Sequence, residues 1–259
     1  MHPPELPVCY LAPELTASES TYVYEELLAI ERRGYKVIPV SVRTPTGLVI
    51  DLEELVVRTR SLYEKNSILT LYRSLIAFFS IKGARAKGFS LVCSDMFEIG
   101  LFSRQSWKLL YQYFVAMRLV EILAQNNCQH LHVHFAHVPA QIGMYASAIS
   151  GIPFTIMAHA NDIFERGLLL KRKAERAVKM LTISEHNLKF LTKLNIPKDK
   201  LAIVRCGVSF ESQSNVVSKK QREIYKIGTL GRLVEKKGID VLLKAISLLD
   251  DKPFTIELS

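Results

Sequence analysis

The segment Ile224–Leu249, IYKIGTLGRLVEKKGIDVLLKAISLL, constrains this chain most, because it joins an anion-seeking loop to a helix. Ile224–Leu230 is an apolar run closed by Gly231 and reads as a buried strand. Ile239, Leu242, Leu243, Ile246 and Leu249 then repeat at helical spacing. Arg232, Lys236 and Lys237 lie between, with glycines on either side. That order puts a guanidinium and an ammonium at the carboxyl end of a strand, beside a helix N-terminus, where open α/β sheets hold anions. The chain ends ten residues after this helix, at Ser259, so the segment is expected to open a domain that the sequence does not finish.

Upstream, strands alternate with helices. Leu6–Leu11 reads as a strand, followed by a polar loop and a helix capped by Ser20 or Thr21 and ended by Gly34. Lys36–Val42 is the next strand, which completes a βαβ unit and implies a parallel sheet with right-handed crossovers. Asn66–Lys82 is an amphipathic helix whose apolar face is Ile68, Leu71, Tyr72, Leu75, Ile76 and Phe79, the kind of face a helix ordinarily turns to a core. Arg104–Gln125 is apolar around most of its circumference and is expected to be largely buried. His130–Phe135 and Pro153–Ala158 read as strands, with a helix over Val138–Ser150 between them that has Pro139 in its first turn and Gly151 past its end. A helix over Leu168–Val178, a strand at Met180–Ile183, a helix capped by Ser184 and a strand at Leu201–Val204 follow. The polar stretch Ser209–Arg222 reads as a linker. The expected organisation is an α/β, Rossmann-like doubly wound domain over 1–208, a linker over 209–222 and the start of a second Rossmann-like domain over 223–259.

With 259 residues, 49 % of them hydrophobic, the chain can bury one large core, or one domain and part of another. Cys9, Cys93, Cys128 and Cys206 are widely separated and form no C-x-x-C pair, which suits reduced thiols in a cytosolic protein. No secretory leader is expected from MHPPELPVCYLAPEL, and no run approaches the ~18 apolar residues of a membrane span. The net charge of +9 is uneven. Between Arg58 and Arg118, ten basic residues face only Glu64, Asp95 and Glu98, so this stretch holds +7 of it. Such a block suits an anionic membrane surface, a polyanionic substrate or nucleic acid, or else simply solvated helix faces. No recognised nucleic-acid motif accompanies it, and no nucleic-acid partner is expected.

The residues that could carry chemistry fall just past strand ends. Pro13–Thr21, Ala136–His137, the group His159, Asn161 and Asp162, and Arg232 with Lys237 each follow a strand, and in a parallel sheet such ends share one rim. His132, His134 and His137 invite a zinc reading, since alternate strand residues share a face, but a third ligand at suitable spacing is missing and no metal is expected.

The strings HLHVHFAHVPAQIGMYASAISGIPFTIMAHANDIF, LTISEHNLKFL, IVRCGV and GRLVEKKGIDVLL, with SESTYVYEELLAIERRGYKVIPVSVR before them, resemble the large retaining glycosyltransferase family often called group 1, above all its exopolysaccharide and colanic-acid-type members. The likeness runs in order through nearly the whole chain. It implies the GT-B arrangement, two facing Rossmann-like domains with the acceptor handled mainly by the first and the nucleotide-sugar by the second. It makes Gly231, Arg232 and Lys237 the donor-diphosphate site, where fixed cations stabilise the departing diphosphate without a metal or other cofactor. It makes His159 the catalytic residue, a neutral imidazole beside the donor sugar. It places Ser20, Thr21, His134, His137, Asn161 and Asp162 around the acceptor and sugar cleft. The family's glycine-rich loop after the first strand is replaced here by APELTASEST. The family's paired acidic residues would lie beyond Ser259, so the 259-residue chain alone is expected to be inactive; the alternative is a non-catalytic acceptor-binding or membrane-associated module from a split or shortened gene. The implied partners are a nucleotide-sugar donor, a saccharide or lipid-linked saccharide acceptor and an anionic membrane surface, and the implied location is cytoplasmic, peripheral at the inner face of the cytoplasmic membrane.

Overall fold

The computed structural model of the chain describes residues 6–17, 21–44, 52–81, 85–207, 225–229, 231, 233–248 and 254–258. The chain divides into two compact units, Met1–Val208 and Ser209–Ser259.

In the first unit, β1 (Val8–Ala12), α1 (Thr21–Arg32) and β2 (Val37–Ser41) form the opening βαβ unit. Then come α2 (Glu53–Arg58), β3 (Arg60–Ser61), α3 (Ser67–Ser80), α4 (Arg85–Glu98) and α5 (Arg104–Gln125). The second half alternates through β4 (His130–His134), α6 (Val138–Ser150), β5 (Phe154–Ala158), α7 (Ala160–Phe164), α8 (Leu170–Arg176), β6 (Lys179–Thr182), α9 (Glu185–Lys193) and β7 (Leu201–Ile203). All seven strands pair in parallel in the order β3-β2-β1-β4-β5-β6-β7. The chain moves outward from β1 to β3, then returns to the other side of β1. That is the strand order of a Rossmann-like sheet, and its switch point lies between β1 and β4, where such sheets place their crevice.

Strand alternation sorts the side chains onto two faces. Cys9, Leu11, Leu131, Val133 and Ile156 point to one face and join the main core, which also takes in Leu119, Ile142 and Tyr145 from α5 and α6. Tyr10 and Ala12 point to the other, against Val23 and Leu27 of α1. His132 lies level with Tyr10 and with Thr155, so the HLHVH run sends its leucine and valine into the dry core and its histidines toward the side of α1.

Two parts of this unit depart from the sequence reading. The apolar face of α3 is turned outward: Ile68, Leu71, Tyr72, Ile76 and Phe79 are exposed, while Thr70, Ser74 and Ala77 are buried. Those small inward residues let α3 approach α5 closely, and the hydroxyls of Ser74 and Thr70 are satisfied inside their own helix, by the carbonyls of Thr70 and Asn66. The helix α4 was not expected at all. Its inward face is Gly88, Val92, Asp95 and Met96, a stripe weakened by a glycine and an acid. A Cβ on Gly88 would come within 2.6 Å of Ile149, so the glycine is what lets α4 reach α6. Asp95 is fully buried and receives Arg172 at 2.8 Å, Arg176 at 2.6 Å and the Tyr145 hydroxyl at 3.0 Å, which ties α4 to α8 and α6.

The second unit contains a parallel pair of strands, β8 (Tyr225–Thr229) and β9 (Phe254–Leu258), with α10 (Ile239–Ser247) between them in sequence. It is a βαβ unit as read. The linker 209–222 lies outside the described residues.

Candidate active site at the carboxyl rim of the sheet

The turn after β4 is built under constraint. Phe135 takes a positive φ of 72°, a conformation that costs a large side chain about 1 kcal/mol or more. The next residue, Ala136, is held by both of its backbone groups. Its amide donates to one carboxylate oxygen of Asp162, and its carbonyl accepts from Lys173 Nζ at 2.5 Å. Lys173, fully buried, also donates to the Leu168 carbonyl at 2.6 Å. The second Asp162 oxygen accepts from the His159 amide at 2.8 Å, closing the first turn of α7. One carboxylate therefore fixes both the turn after β4 and the turn after β5. Burial pushes Asp162 up to about 6, although the amides of Ala136 and His159 pull the other way, and burial pulls Lys173 down to about 7.

His159 sits at the N-cap of α7 and is 7 % exposed. Its ring packs against Phe135 (4.8 Å between centroids), Tyr22 of α1 (4.9 Å) and His134, on which it stacks at 5.8 Å and 22°. Its Nε2 has no hydrogen-bond partner among the described residues. Burial, and then the neighbouring His134, lower it to about 4, so the ring is neutral near pH 7 and free to accept from or donate to a hydroxyl.

Below it lies a polar layer between the sheet and α1. The Tyr10 hydroxyl bonds His134 Nε2 in a short contact, and Glu26 of α1 stands 3.5 Å from the same nitrogen and 3.6 Å from His132 Nε2. The Thr155 hydroxyl meets His132 Nδ1 at 2.8 Å and His130 Nε2 at 2.9 Å. Burial, followed by His134, lowers His132 to about 3. The third ligand that the sequence spacing lacked is thus present as Glu26: one atom each from Glu26, His132 and His134 lies within 4.8 Å of the others. These atoms could hold a divalent cation, although Tyr10 already occupies His134 Nε2. Sequence spacing could not show Glu26, which comes from a different helix far away in the chain.

The other residues singled out by sequence distribute as follows. His137 caps α6 by accepting the Val138 amide on Nδ1 at 2.8 Å. Asn161 is half-buried and bonded to Glu165, and Thr21 is exposed at the start of α1. His134 and Asp162 are fully buried, so both act on the cleft from behind its surface. Ser20 and Arg232 lie outside the described residues. In the second unit, Lys237 ends a 3-10 turn, Glu235–Lys237, just before α10, and its side-chain carbons run 3.7–3.9 Å from where a Cβ on Gly231 would stand. The four cysteines are free.

Residues 97–212, a little under half of the chain, match the family described as Glycosyltransferase Family 4. The matched stretch contains the turn after β4, His159, Asp162 and Lys173. No curated protein sequence matches the chain. Among solved structures, the lipopolysaccharide outer core galactosyltransferase WaaB in its apo form is similar at 10 % identity and a TM-score of 0.57, with 98 % of this chain and 60 % of that one covered. Anabaena Alr3699/HepE in complex with UDP and glucose is similar at 12 % identity and a TM-score of 0.62, with the same coverage, and its UDP-glucose complex at 12 % and 0.59. The chain therefore spans about 60 % of the length of these structures. The structural likeness shows the fold: an α/β, Rossmann-like parallel sheet.

Proposed function

We propose that the protein transfers a sugar, with retention, from a nucleoside-diphosphate donor to a saccharide acceptor. The observation that carries this reading is the Glycosyltransferase Family 4 match over 97–212, which encloses the clamped turn and the neutral imidazole of His159, whose Nε2 has no hydrogen-bond partner among the described residues. HepE, which shares the fold, is known in complex with UDP and glucose, and that supports a nucleotide-sugar donor here. Breaking the donor's glycosidic bond leaves negative charge on the departing diphosphate. Lys237, packed along Gly231 ahead of α10, and Arg232 are the cations assigned to it. The reaction so described needs no resident metal or cofactor. His159 contacts the donor sugar's hydroxyls as the transition state forms.

The acceptor is lipid-linked, part of surface or extracellular polysaccharide synthesis, and is met at the inner face of the cytoplasmic membrane. Support comes from the outward face of α3, where Ile68 and Phe79 are 76 % and 75 % exposed, and from Phe97, Phe102 and Trp107 around the α4–α5 junction. The exposed Lys87, Arg104 and Lys108 lie on the same helices. Half of the basic block serves the protein itself: Arg58 pairs with Glu31, Arg73 and Arg118 with Glu64, Arg60 donates to the Gln125 side chain and Arg85 to the Phe78 carbonyl. Membrane attraction therefore rests on apolar contact as much as on charge. No described helix is long and apolar enough to cross a membrane.

The test is release of nucleoside diphosphate from UDP-glucose, UDP-galactose and GDP-mannose by the protein expressed from its natural reading frame. Turnover of one donor, reduced about 100-fold by His159→Ala, is expected. A folded protein that turns over no nucleotide-sugar overturns the reading.

A further inference from the structure

Within the first unit, the N-terminal turns of α5, the start of α6 and the segment after α7 line an open cavity of about 500 Å³. Its inner wall carries Gln112 and Gln141, only 6 % and 4 % exposed, and both amide oxygens lack a hydrogen-bond partner among the described residues. Buried amides left unpaired cost folding free energy, so a fold that keeps two of them in one cavity is suited to a ligand that pairs them. His137 lines the same space. Its Nδ1 is taken by the Val138 amide, so the neutral ring carries its proton on Nε2 and offers a donor. The exposed Lys108 and Arg166 stand at the mouth, and the carboxylate there, Glu165, is already bonded to Asn161. The surroundings are electropositive: after burial, Arg166, Lys173 and Arg43 are what hold His137 down at about 4. No Phe, Tyr or Trp is among the described residues lining the cavity, so nothing there stacks a nucleobase.

We infer that this cavity binds the acceptor through a sugar ring that bears an anionic substituent, a carboxylate or a phosphate. Ring hydroxyls both donate and accept, which matches Gln112, Gln141 and His137, while Lys108 and Arg166 meet the anion. The assignment to an acceptor rests on the glycosyltransferase reading. The binding itself does not, and it is read without donor or turnover, so either can fail while the other stands.

The experiment is calorimetric titration of the full chain with three probes: a glucuronic-acid-containing disaccharide, glucose 6-phosphate and the neutral disaccharide cellobiose, with inorganic phosphate as the control. At least one anionic sugar is expected to bind about tenfold more tightly than cellobiose, and which one does so separates a uronic-acid source from a phosphosugar source. The exposed-site double variant Lys108→Gln/Arg166→Gln should erase that advantage and leave the thermal melt unchanged. Gln141→Leu should weaken binding of every sugar probe, charged or neutral. The inference is overturned if cellobiose binds as tightly as the preferred anionic sugar, if inorganic phosphate does so, if the Lys108 and Arg166 changes leave that sugar's affinity untouched, or if no probe binds.

Discussion

The two faces of the seven-stranded sheet are made from the same strands and serve opposite ends. On the side of α5 and α6, Leu11, Leu131 and Val133 are fully buried in an apolar cluster. On the side of α1, the alternate residues Tyr10, His132 and His134 are as deeply buried but polar. Three imidazole nitrogens around that face and its rim, His132 Nε2, His134 Nδ1 and His159 Nε2, have no hydrogen-bond partner among the described residues. The dry face supplies stability, and the polar face spends some of it to keep the rings of His132 and His159 neutral at the switch point of the sheet. This difference predicts that equivalent damage to the two faces has different consequences.

The largest expected effect is on the dry face. Leu131 and Val133 press on Gly143 of α6, where an added Cβ would meet Val133 at 2.8 Å and Leu131 at 3.4 Å. Packing that tight cannot collapse around a hole, so Leu131→Ala should cost about 3 kcal/mol of unfolding free energy in urea titration. His132→Leu, one position along the same strand, should cost far less near neutral pH, because it removes an unpaired nitrogen as well as a side chain. If His132→Leu proves as costly as Leu131→Ala, the polar face is a structural core in its own right and the contrast fails.

Acid should single out the polar face next. His132, His137 and His159 are lowered from 6.5 to about 3, 4 and 4, chiefly by burial. The unfolded chain therefore binds these protons first as pH falls. The stability tied to the neutral rings is whole above about 6.5 and is lost progressively toward pH 4. Asp162 acts in the opposite sense, since its raised value means that the folded state takes up its proton first. Lys173, lowered to about 7 by burial, sides weakly with the histidines below pH 7, where the unfolded chain already holds its proton. Three histidines against one aspartate leave a net loss of a few kcal/mol between pH 7 and 5, measurable by chemical denaturation at each pH. His132→Leu should flatten that slope by about one histidine's share. A stability that rises on acidification to pH 5 would contradict the burial of these rings.

A smaller effect is expected where the two faces meet. Lys173 reaches from α8 to the carbonyls of Ala136 and Leu168 and is the buried counter-charge of Asp162. Lys173→Met keeps the bulk and strands both carbonyls, for a cost of about 2 kcal/mol. If Phe135 keeps its positive φ only while Ala136 is clamped, turnover should fall more than this loss of stability explains. Lys173→Arg should restore part of it. Unchanged turnover in Lys173→Met would mean that the turn after β4 holds its shape without the clamp.

How much of this was legible beforehand follows from the range of each interaction. The HLHVH run showed its two faces directly, because a period of two is a local property, and the strands with turns at their ends followed from local signals. The cap that His137 makes to the very next residue is equally local, yet it went unread because the resemblance places His137 in the cleft. What else escaped was set by distant partners. Asp95 reads as one acid among ten bases until Arg172 and Arg176 fold onto it from α8. Glu26 reads as a helix-surface glutamate until α1 lays it beside His132 and His134. The outward face of α3 was misjudged for a related reason: an apolar stripe announces that something covers it, not that the chain's own core does. The small residues Thr70, Ser74 and Ala77 were the sign that the opposite side would be buried.

The smallest expected effect concerns metal. Glu26, His132 and His134 have the composition of a divalent-cation site, and their convergence is the strongest argument against a metal-free reaction. The polar layer is nonetheless partly paired without an ion, with His132 Nε2 and His134 Nδ1 the exceptions among the described residues. Thr155 holds His132 Nδ1, and Tyr10 and Glu26 share His134 Nε2, so a cation would have to displace the tyrosine hydroxyl to complete its shell. Exhaustive chelation should therefore leave both the melting temperature and donor turnover within experimental error, and added Zn²⁺ should fail to raise either. A melting temperature that drops on chelation and returns with stoichiometric Zn²⁺, in the wild type but not in Glu26→Gln, would turn the polar face from a hydrogen-bonded layer into a metal centre. The comparison of the two faces would then be one between packing and coordination.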